Sequence, residues 1–176
     1  MMAKMFDYYR KFSGDKMIDW GRVRYFTKDE KWGNPTLIVP ELVYELDDFR
    51  HDIGVPILVT CGTQGKHVYN SYHFWKMAPG DDNEMPKGLA LDIMFPTLER
   101  HHLPDLAIKA LKFGFTGVGI YPNWQYKEKT IGGMHVDYRP KRKKATWIGL
   151  GGGQYIPITL DNLNNFFKEI KRGKKR

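Results

Sequence analysis

Two histidines and an aspartate, set in three segments of different character, are the residues of this sequence best suited to binding a metal ion. His73 ends the polar, turn-forming segment 69–73, in which the backbone can hold a side chain at the edge of a fold. Asp92 lies in the apolar segment 88–95, which predicts a buried strand carrying one carboxylate. A carboxylate in that setting requires a cation or several hydrogen-bond donors.

The third candidate ligand, His135, lies in the segment 132–138. Strand geometry there places His135 and Asp137 on one face and their apolar neighbours on the other. Two histidines and one carboxylate, with a fourth position left open, form the ligand set of a catalytic zinc site. We therefore predict a zinc site formed by His73, Asp92 and His135.

Short motifs around these residues match those of a known enzyme family. The motifs are Ser-x-His, Gly-x-Ala-x-Asp and His-x-Asp, found here as Ser71-Tyr72-His73, Gly88-Leu89-Ala90-Leu91-Asp92 and His135-Val136-Asp137. In these motifs the sequence resembles the zinc D-Ala-D-Ala carboxypeptidase and peptidoglycan endopeptidase family, which includes many phage endolysins. The resemblance extends over roughly residues 25–150. It implies that His73, Asp92 and His135 are the zinc ligands.

Two features depart from the pattern of that family. The family usually places its first histidine and its aspartate a few residues apart, whereas His73 and Asp92 are 19 positions apart. We interpret the segment 74–87 as a loop insertion, which costs little entropy, and we expect it to flank the substrate groove. Many members also carry an arginine that holds a substrate carboxylate, where this sequence has Gln64. This difference favours an endopeptidase over a D-Ala-D-Ala carboxypeptidase.

Zinc held by these three ligands would lower the pKa of water towards about 7 and polarise an amide carbonyl, which is the chemistry of peptide hydrolysis. The reaction also needs a group that takes the proton of water and passes it to the leaving amine. Many relatives have an acid three residues before the second histidine, where this sequence has Gly132. Asp137 is the best replacement as a catalytic base, and it suits the orienting of a ligand equally well. Gln64, Ser71 and Tyr121 are the predicted substrate contacts, and a structural role suits Gln64 and Tyr121 equally well.

The spacing of apolar residues predicts the elements that position these side chains. It indicates an α+β fold, a small, largely antiparallel sheet flanked by helices, with the zinc site at the sheet face. The last two strands are expected to be neighbours, and the glycines at 151–153 to end the sheet. His101 and His102 lie at an exposed turn and are interpreted as solvated rather than as ligands. The strands are predicted at 56–61, 89–95, 117–121, 132–138 and 145–150, and the helices at 40–53, 105–113 and about 160–171.

Length and composition indicate one domain. The 176 residues, 41% hydrophobic and 14% aromatic, suffice for one well-buried core and are too few for two. We expect an N-terminal arm at 1–24, a peptidase domain at 25–172 and a basic tail at 173–176.

No apolar run approaches the roughly 20 residues of a membrane span, and no signal peptide is recognisable. With Cys61 as its single cysteine the chain has no intrachain disulfide, and we expect Cys61 to be a small buried residue rather than a nucleophile.

The net charge of +8 arises from a patch and a tail. Outside them the chain has 18 basic residues against 20 acidic ones. The ten basic residues concerned are Lys141, Arg142, Lys143, Lys144, Lys168, Lys171, Arg172, Lys174, Lys175 and Arg176. Such clusters favour polyanions, either an anionic polymer of the bacterial wall or nucleic acid, or they serve only to solubilise the chain.

These features lead to one expected function and two alternatives. We expect a monomeric zinc peptidase, made in the cytoplasm and acting on the peptidoglycan stem peptide at the bacterial cell wall, as a phage-encoded enzyme would. The first alternative is an inactive protein of the same fold that binds peptidoglycan without cutting it. The second is a nucleic-acid-binding protein that uses the basic patch with Trp124, Tyr126 and Trp147. That alternative leaves Asp92 and the pair of histidines unexplained.

Overall fold

A six-stranded sheet forms the centre of the computed structural model, which describes residues 17–63, 72–73, 88–138 and 144–158. The strands are β1 (Leu58–Cys61), β2 (Ala90–Met94), β3 (Gly117–Tyr121), β4 (Gln125–Tyr126), β5 (Lys129–Thr130), β6 (Gly133–Asp137), β7 (Ala145–Gly151) and β8 (Gln154–Pro157). The order in the sheet is β1-β2-β6-β3-β7-β8, and β4 pairs with β5 in a separate ribbon. All neighbours in the sheet are antiparallel except β3 and β7. The predicted α+β domain with a largely antiparallel sheet is therefore confirmed.

Two α-helices pack with the sheet in the described residues and contribute much of the core. Helix α1 (Pro40–Ile53) begins with proline in its first turn and ends where Gly54 adopts a left-handed φ of 68°, as its apolar spacing predicts. Helix α2 (Leu103–Phe113) begins two residues earlier than predicted and ends at Gly114. Both helices bury one face in the apolar core, which they share with the sheet. Three short 3₁₀ turns lie at Trp20–Arg22, Pro35–Leu37 and Arg100–His102.

The two faces of the sheet differ in chemistry because side chains alternate along each strand. One face packs against the helices with Leu91, Ile93, Val118, Ile120, Met134 and Val136, all of them buried. We call the opposite face the site face. It carries the side chains of Asp92, Tyr121, His135, Asp137 and Trp147, interspersed with Gly117, Gly119, Gly133 and Gly149.

The prediction that the last two predicted strands are neighbours is wrong, because β3 lies between β6 and β7. Strand β3 fits there because it has glycine where side chains from both neighbours need room. A Cβ at Gly117 would lie 2.0 Å from Oδ1 of Asp137, and one at Gly119 would lie 2.4 Å from Cε2 of Trp147. Seven residues separate Asp137 from Ala145, enough to span the roughly 10 Å across one intervening strand.

The prediction that the glycines at 151–153 end the sheet is also wrong. They form the turn that leads into β8, and their φ angles of 97°, 59° and 77° are positive. Glycine adopts such angles without steric penalty, so the chain reverses there and continues as a hairpin.

Three further expectations concern the two neighbouring histidines, the possibility of a membrane span and several loop and tail segments. His101 and His102 are exposed, as predicted. Among the helices of the described residues, none is long and apolar enough to cross a membrane. Gln64, Ser71, the insertion 74–87 and the helix predicted at 160–171 lie outside the described residues, as do most of the basic patch and tail.

Candidate metal centre

Strand pairing places five residues in a row across the site face. Cys61 is the register partner of Asp92, Asp92 of His135, His135 of Gly119, and Gly119 of Trp147. Neighbouring strands are about 4.8 Å apart, so side chains in such a row meet their neighbours directly. The sheet therefore brings chemically active residues together although they are distant in the sequence.

Three ligand atoms converge at this row. His73 Nε2 lies 3.2 Å from His135 Nδ1 and 3.2 Å from Asp92 Oδ1, and His135 Nδ1 lies 2.9 Å from Asp92 Oδ1. Tetrahedral zinc with bonds of about 2.0–2.1 Å holds nitrogen and oxygen ligands about 3.3 Å apart. Two nitrogens and one oxygen at these separations could hold a metal ion.

The orientation of His73 is set by the main chain. Its ring donates from Nδ1 to the carbonyl oxygen of Gly62, over 2.7 Å, which leaves Nε2 facing His135 and Asp92. Gly62 packs closely against the main chain of Trp32, since a Cβ there would lie 2.2 Å from the carbonyl oxygen of Trp32. Trp32 is completely buried, so this support is part of the core.

The orientation of His135 is set by Asp137. His135 donates from Nε2 to Asp137 Oδ2 over 3.1 Å, which leaves Nδ1 directed at His73 and Asp92. The Asp137 side chain is 0% exposed and occupies the space above Gly117. A carboxylate that receives the outer N–H of a ligand histidine is a recurrent feature of metal sites.

The pKa shifts of His73, Asp92 and His135 all favour positive charge on the histidines and negative charge on the carboxylate. Burial lowers the pKa of His73, but hydrogen bonding to Asp92 and Cys61 and the charge of Asp92 outweigh it and raise that pKa from 6.5 to about 10. Burial raises the pKa of Asp92, but hydrogen bonds from His135 and His73 outweigh it and lower that pKa from 3.8 to about 2. The pKa of His135 is likewise raised, against burial, by its hydrogen bonds to Asp137 and Asp92. A metal cation bound between the three ligand atoms would take the place of the protons on the histidines and would balance the negative charge of Asp92.

Aromatic residues border the cluster on the side of β7. The Trp147 ring lies over Gly119, with its centroid 5.3 Å from that of His135. Its Nε1 donates to the hydroxyl of Tyr121 over 3.1 Å, and Tyr121 stacks on Trp124 at 4.3 Å between ring centroids. Burial raises the pKa of Tyr121 to about 12, so the phenol keeps its proton and remains a hydrogen-bond donor at neutral pH.

The structure thus brings together the three predicted ligands, with Asp137 beside one of them and Tyr121 at the border of the cluster. Sequence reasoning missed Cys61, which was expected to be buried and structural. It is half-buried, and its sulfur belongs to a group with His73 and Asp92 whose ligand atoms all lie within 4.8 Å of one another. The pairing of Cys61 with Asp92 would have indicated its place in the cluster. That pairing depends on an irregularity in β1, and the pattern of apolar residues does not reveal it.

Comparison with known proteins does not assign the chain to a family. It matches no protein-family model, and no curated protein matches it. Its function is therefore inferred from the geometry of the cluster and from the resemblance of three short motifs.

Proposed function

We propose that the protein is a zinc-dependent peptidase that hydrolyses peptide bonds of bacterial peptidoglycan. The observation that carries the proposal is the convergence of His73 Nε2, His135 Nδ1 and Asp92 Oδ1 within 2.9–3.2 Å of one another. Each histidine donates its other N–H to an oxygen atom, so both rings are fixed with the remaining nitrogen turned inward, and a metal ion would displace any proton on it. Three protein ligands of these types are the set found in catalytic rather than structural zinc sites.

The metal and the surrounding residues have separate tasks in this proposal. Zinc bound by His73, Asp92 and His135 supplies Lewis acidity towards an amide carbonyl and towards water. Tyr121 keeps its proton, and the nearby charge of Asp92 contributes to its raised pKa. Its hydroxyl is therefore suited to donating a hydrogen bond to a substrate oxygen at the edge of the cluster.

Asp137 has two conceivable roles, and its surroundings favour one of them. Its carboxylate is completely buried and receives the N–H of His135. A general base has to reach water or substrate, whereas a carboxylate behind a ligand histidine needs only to hold the ring. We therefore assign Asp137 to the positioning of His135.

Replacing Asp137 with asparagine separates the two roles. If Asp137 holds His135, the Asp137→Asn variant should bind zinc roughly 10–100-fold more weakly, and saturating zinc should restore much of its activity. Competition with a chromophoric chelator measures the affinity. Unchanged zinc affinity together with lost activity would instead identify Asp137 as the base.

The substrate is inferred from the motifs. Their resemblance to the peptidoglycan peptidases makes the stem peptide the substrate, and Gln64, where relatives hold a carboxylate with arginine, favours an internal bond. The protein would accordingly be made in the cytoplasm and act at the cell wall, as a phage endolysin does. The basic clusters would add attraction to anionic wall polymers.

Digestion of peptidoglycan tests the function directly. Zinc-loaded protein is incubated with purified peptidoglycan and with defined stem peptides, with and without a chelator, and the released amines are identified by mass spectrometry. We expect internal fragments whose release stops when the metal is removed. Release of single D-Ala would identify a carboxypeptidase, and binding of peptidoglycan without cleavage would identify an inactive protein of this fold.

The His135→Ala variant provides the control, because it should give the same result as the chelator. If zinc-loaded protein cuts neither substrate and instead binds nucleic acid with a steep dependence on salt, the peptidase proposal is wrong.

A further inference from the structure

A β-bulge in β1 determines which side chain lies beside Asp92. Leu58 pairs with Met94 and Val59 with Ile93, so regular pairing would place Thr60 opposite Asp92. The register shifts instead, and Cys61 becomes the partner of Asp92. Bulges commonly re-aim a side chain beside a functional site.

The extra residue of the bulge is held in place by a hydrogen bond. Thr60 donates from its hydroxyl to the main-chain carbonyl of Asp92 over 3.1 Å. Without the bulge, Cys61 would fall on the alternate face of the strand, away from the side chain of Asp92. The irregularity therefore brings a sulfur atom onto the site face, next to the candidate metal centre.

The position of the sulfur suits coordination. The ligand atoms of Cys61, His73 and Asp92 lie within 4.8 Å of one another. Tetrahedral zinc holds a sulfur and a nitrogen ligand about 3.6 Å apart, so atoms grouped this closely can be brought onto one ion by side-chain adjustment. The Cys61 thiol donates to the carbonyl oxygen of Gly62 over 3.6 Å, and the same oxygen accepts the N–H of His73, so the two side chains are neighbours.

We propose that Cys61 is a fourth ligand of the metal centre, so that the resting ion is held by two nitrogens, one oxygen and one sulfur. The thiol releases its proton to solvent as the sulfur–metal bond forms. This inference rests on the metal centre of the proposed function but not on peptidase activity.

Coordination by Cys61 would affect which metal ions the centre prefers and whether a position on the ion stays open to water. Thiolate is a soft ligand that favours zinc, cobalt and cadmium over magnesium and calcium. Four protein ligands also close the position that a catalytic centre leaves to water. Hydrolysis then requires the thiolate to leave the ion or the ion to accept a fifth ligand, and Cys61 thereby regulates access of substrate to the metal.

Cobalt substitution tests the proposal, because bound thiolate gives Co²⁺ an intense near-ultraviolet charge-transfer band that nitrogen and oxygen ligands do not give. The wild-type protein with Co²⁺ should show this band, and the Cys61→Ser and Cys61→Ala variants should lose it while still binding the ion. The affinity of both variants for Co²⁺ should fall by at least about tenfold, because even the loss of a residue that only hydrogen-bonds to a metal ligand has an effect of that size. The His101→Ala variant, altered at an exposed histidine, should keep both the band and the affinity.

Alkylation gives an independent measurement, because Cys61 is the single cysteine of the chain. Zinc should slow the reaction of wild-type Cys61 with iodoacetamide, and the His135→Ala variant should lose this protection. Cobalt bound without a charge-transfer band, with equal affinity in the Cys61→Ser variant, would overturn the sulfur ligand and leave the three-residue centre intact. Failure of wild-type protein to bind cobalt or zinc would overturn both proposals.

Discussion

Replacing His135 with alanine should abolish stoichiometric zinc binding, taking the metal content from about one ion per chain to close to none. His135 supplies the nitrogen at the centre of the cluster, 3.2 Å from His73 Nε2 and 2.9 Å from Asp92 Oδ1. Its loss removes a proposed ligand and also removes the N–H that His135 donates to the buried carboxylate of Asp137. Elemental analysis after dialysis against trace zinc measures the effect, and the His73→Ala variant should behave in the same way.

Two controls make that result interpretable. The His101→Ala variant removes an exposed histidine that lies outside the sheet, and it should retain its zinc. Circular dichroism of the His135→Ala variant should show a folded domain, because the apolar core lies on the opposite face of the sheet. Full zinc retention in both the His73 and His135 variants would contradict the proposal that these two histidines bind zinc.

Replacing Gly117 with alanine should weaken zinc binding roughly 10–100-fold although Gly117 offers no ligand atom. The added methyl would lie 2.0 Å from Oδ1 and 2.4 Å from Oδ2 of Asp137, so the carboxylate has to move. Its hydrogen bond to His135 Nε2 then breaks, and the ring loses its fixed orientation. Overpacking of this kind also lowers the free energy of unfolding by about 1–3 kcal/mol. Chelator competition and urea unfolding of the metal-free protein measure the two effects.

Gly54→Ala is the matched control for this substitution. A Cβ at Gly54 meets no atom within 4 Å, but its φ of 68° is unfavourable for alanine. We expect a loss of about 1–2 kcal/mol in stability and no change in zinc affinity. Equal zinc affinities in the Gly117→Ala variant and the wild type would show that Asp137 does not position His135.

The sequence predicts much of the fold because many of its elements have strong local signals. Helix α1 combines apolar spacing with a terminal Gly54, and β2 is an uninterrupted apolar strand with one carboxylate, Asp92. The three predicted ligands also lie together, because strand pairing sets Asp92 beside His135 and the side chain of His73 reaches both. Local spacing and motif type are thus sufficient to locate the centre of the cluster.

Features that depend on tertiary packing are not visible in local patterns. The place of β3 between β6 and β7 follows from the close approach of Asp137 to Gly117 and of Trp147 to Gly119, which involves residues distant in sequence. The position of Cys61 follows from a one-residue bulge, and an alternating pattern over four residues cannot reveal it. Sequence reasoning therefore singled out the three candidate ligands with the clearest motifs and treated the sulfur of Cys61 as structural.

The row of register partners from Cys61 through Asp92 to His135 has a consequence for folding. Because side chains alternate with a period of two, a slip of one residue between β2 and β6 would turn Asp92 away from His135 and bring Leu91 in its place. The candidate ligands thus converge only after these strands have paired in their native alignment, so the proposed centre would capture its metal late in folding. A bound ion would link chain segments that are up to 74 positions apart, counted from Cys61 to His135, and would oppose slippage of the pairing. In this proposal, the metal content of a preparation would report the fraction of molecules that folded in the correct alignment, without any assay of catalysis.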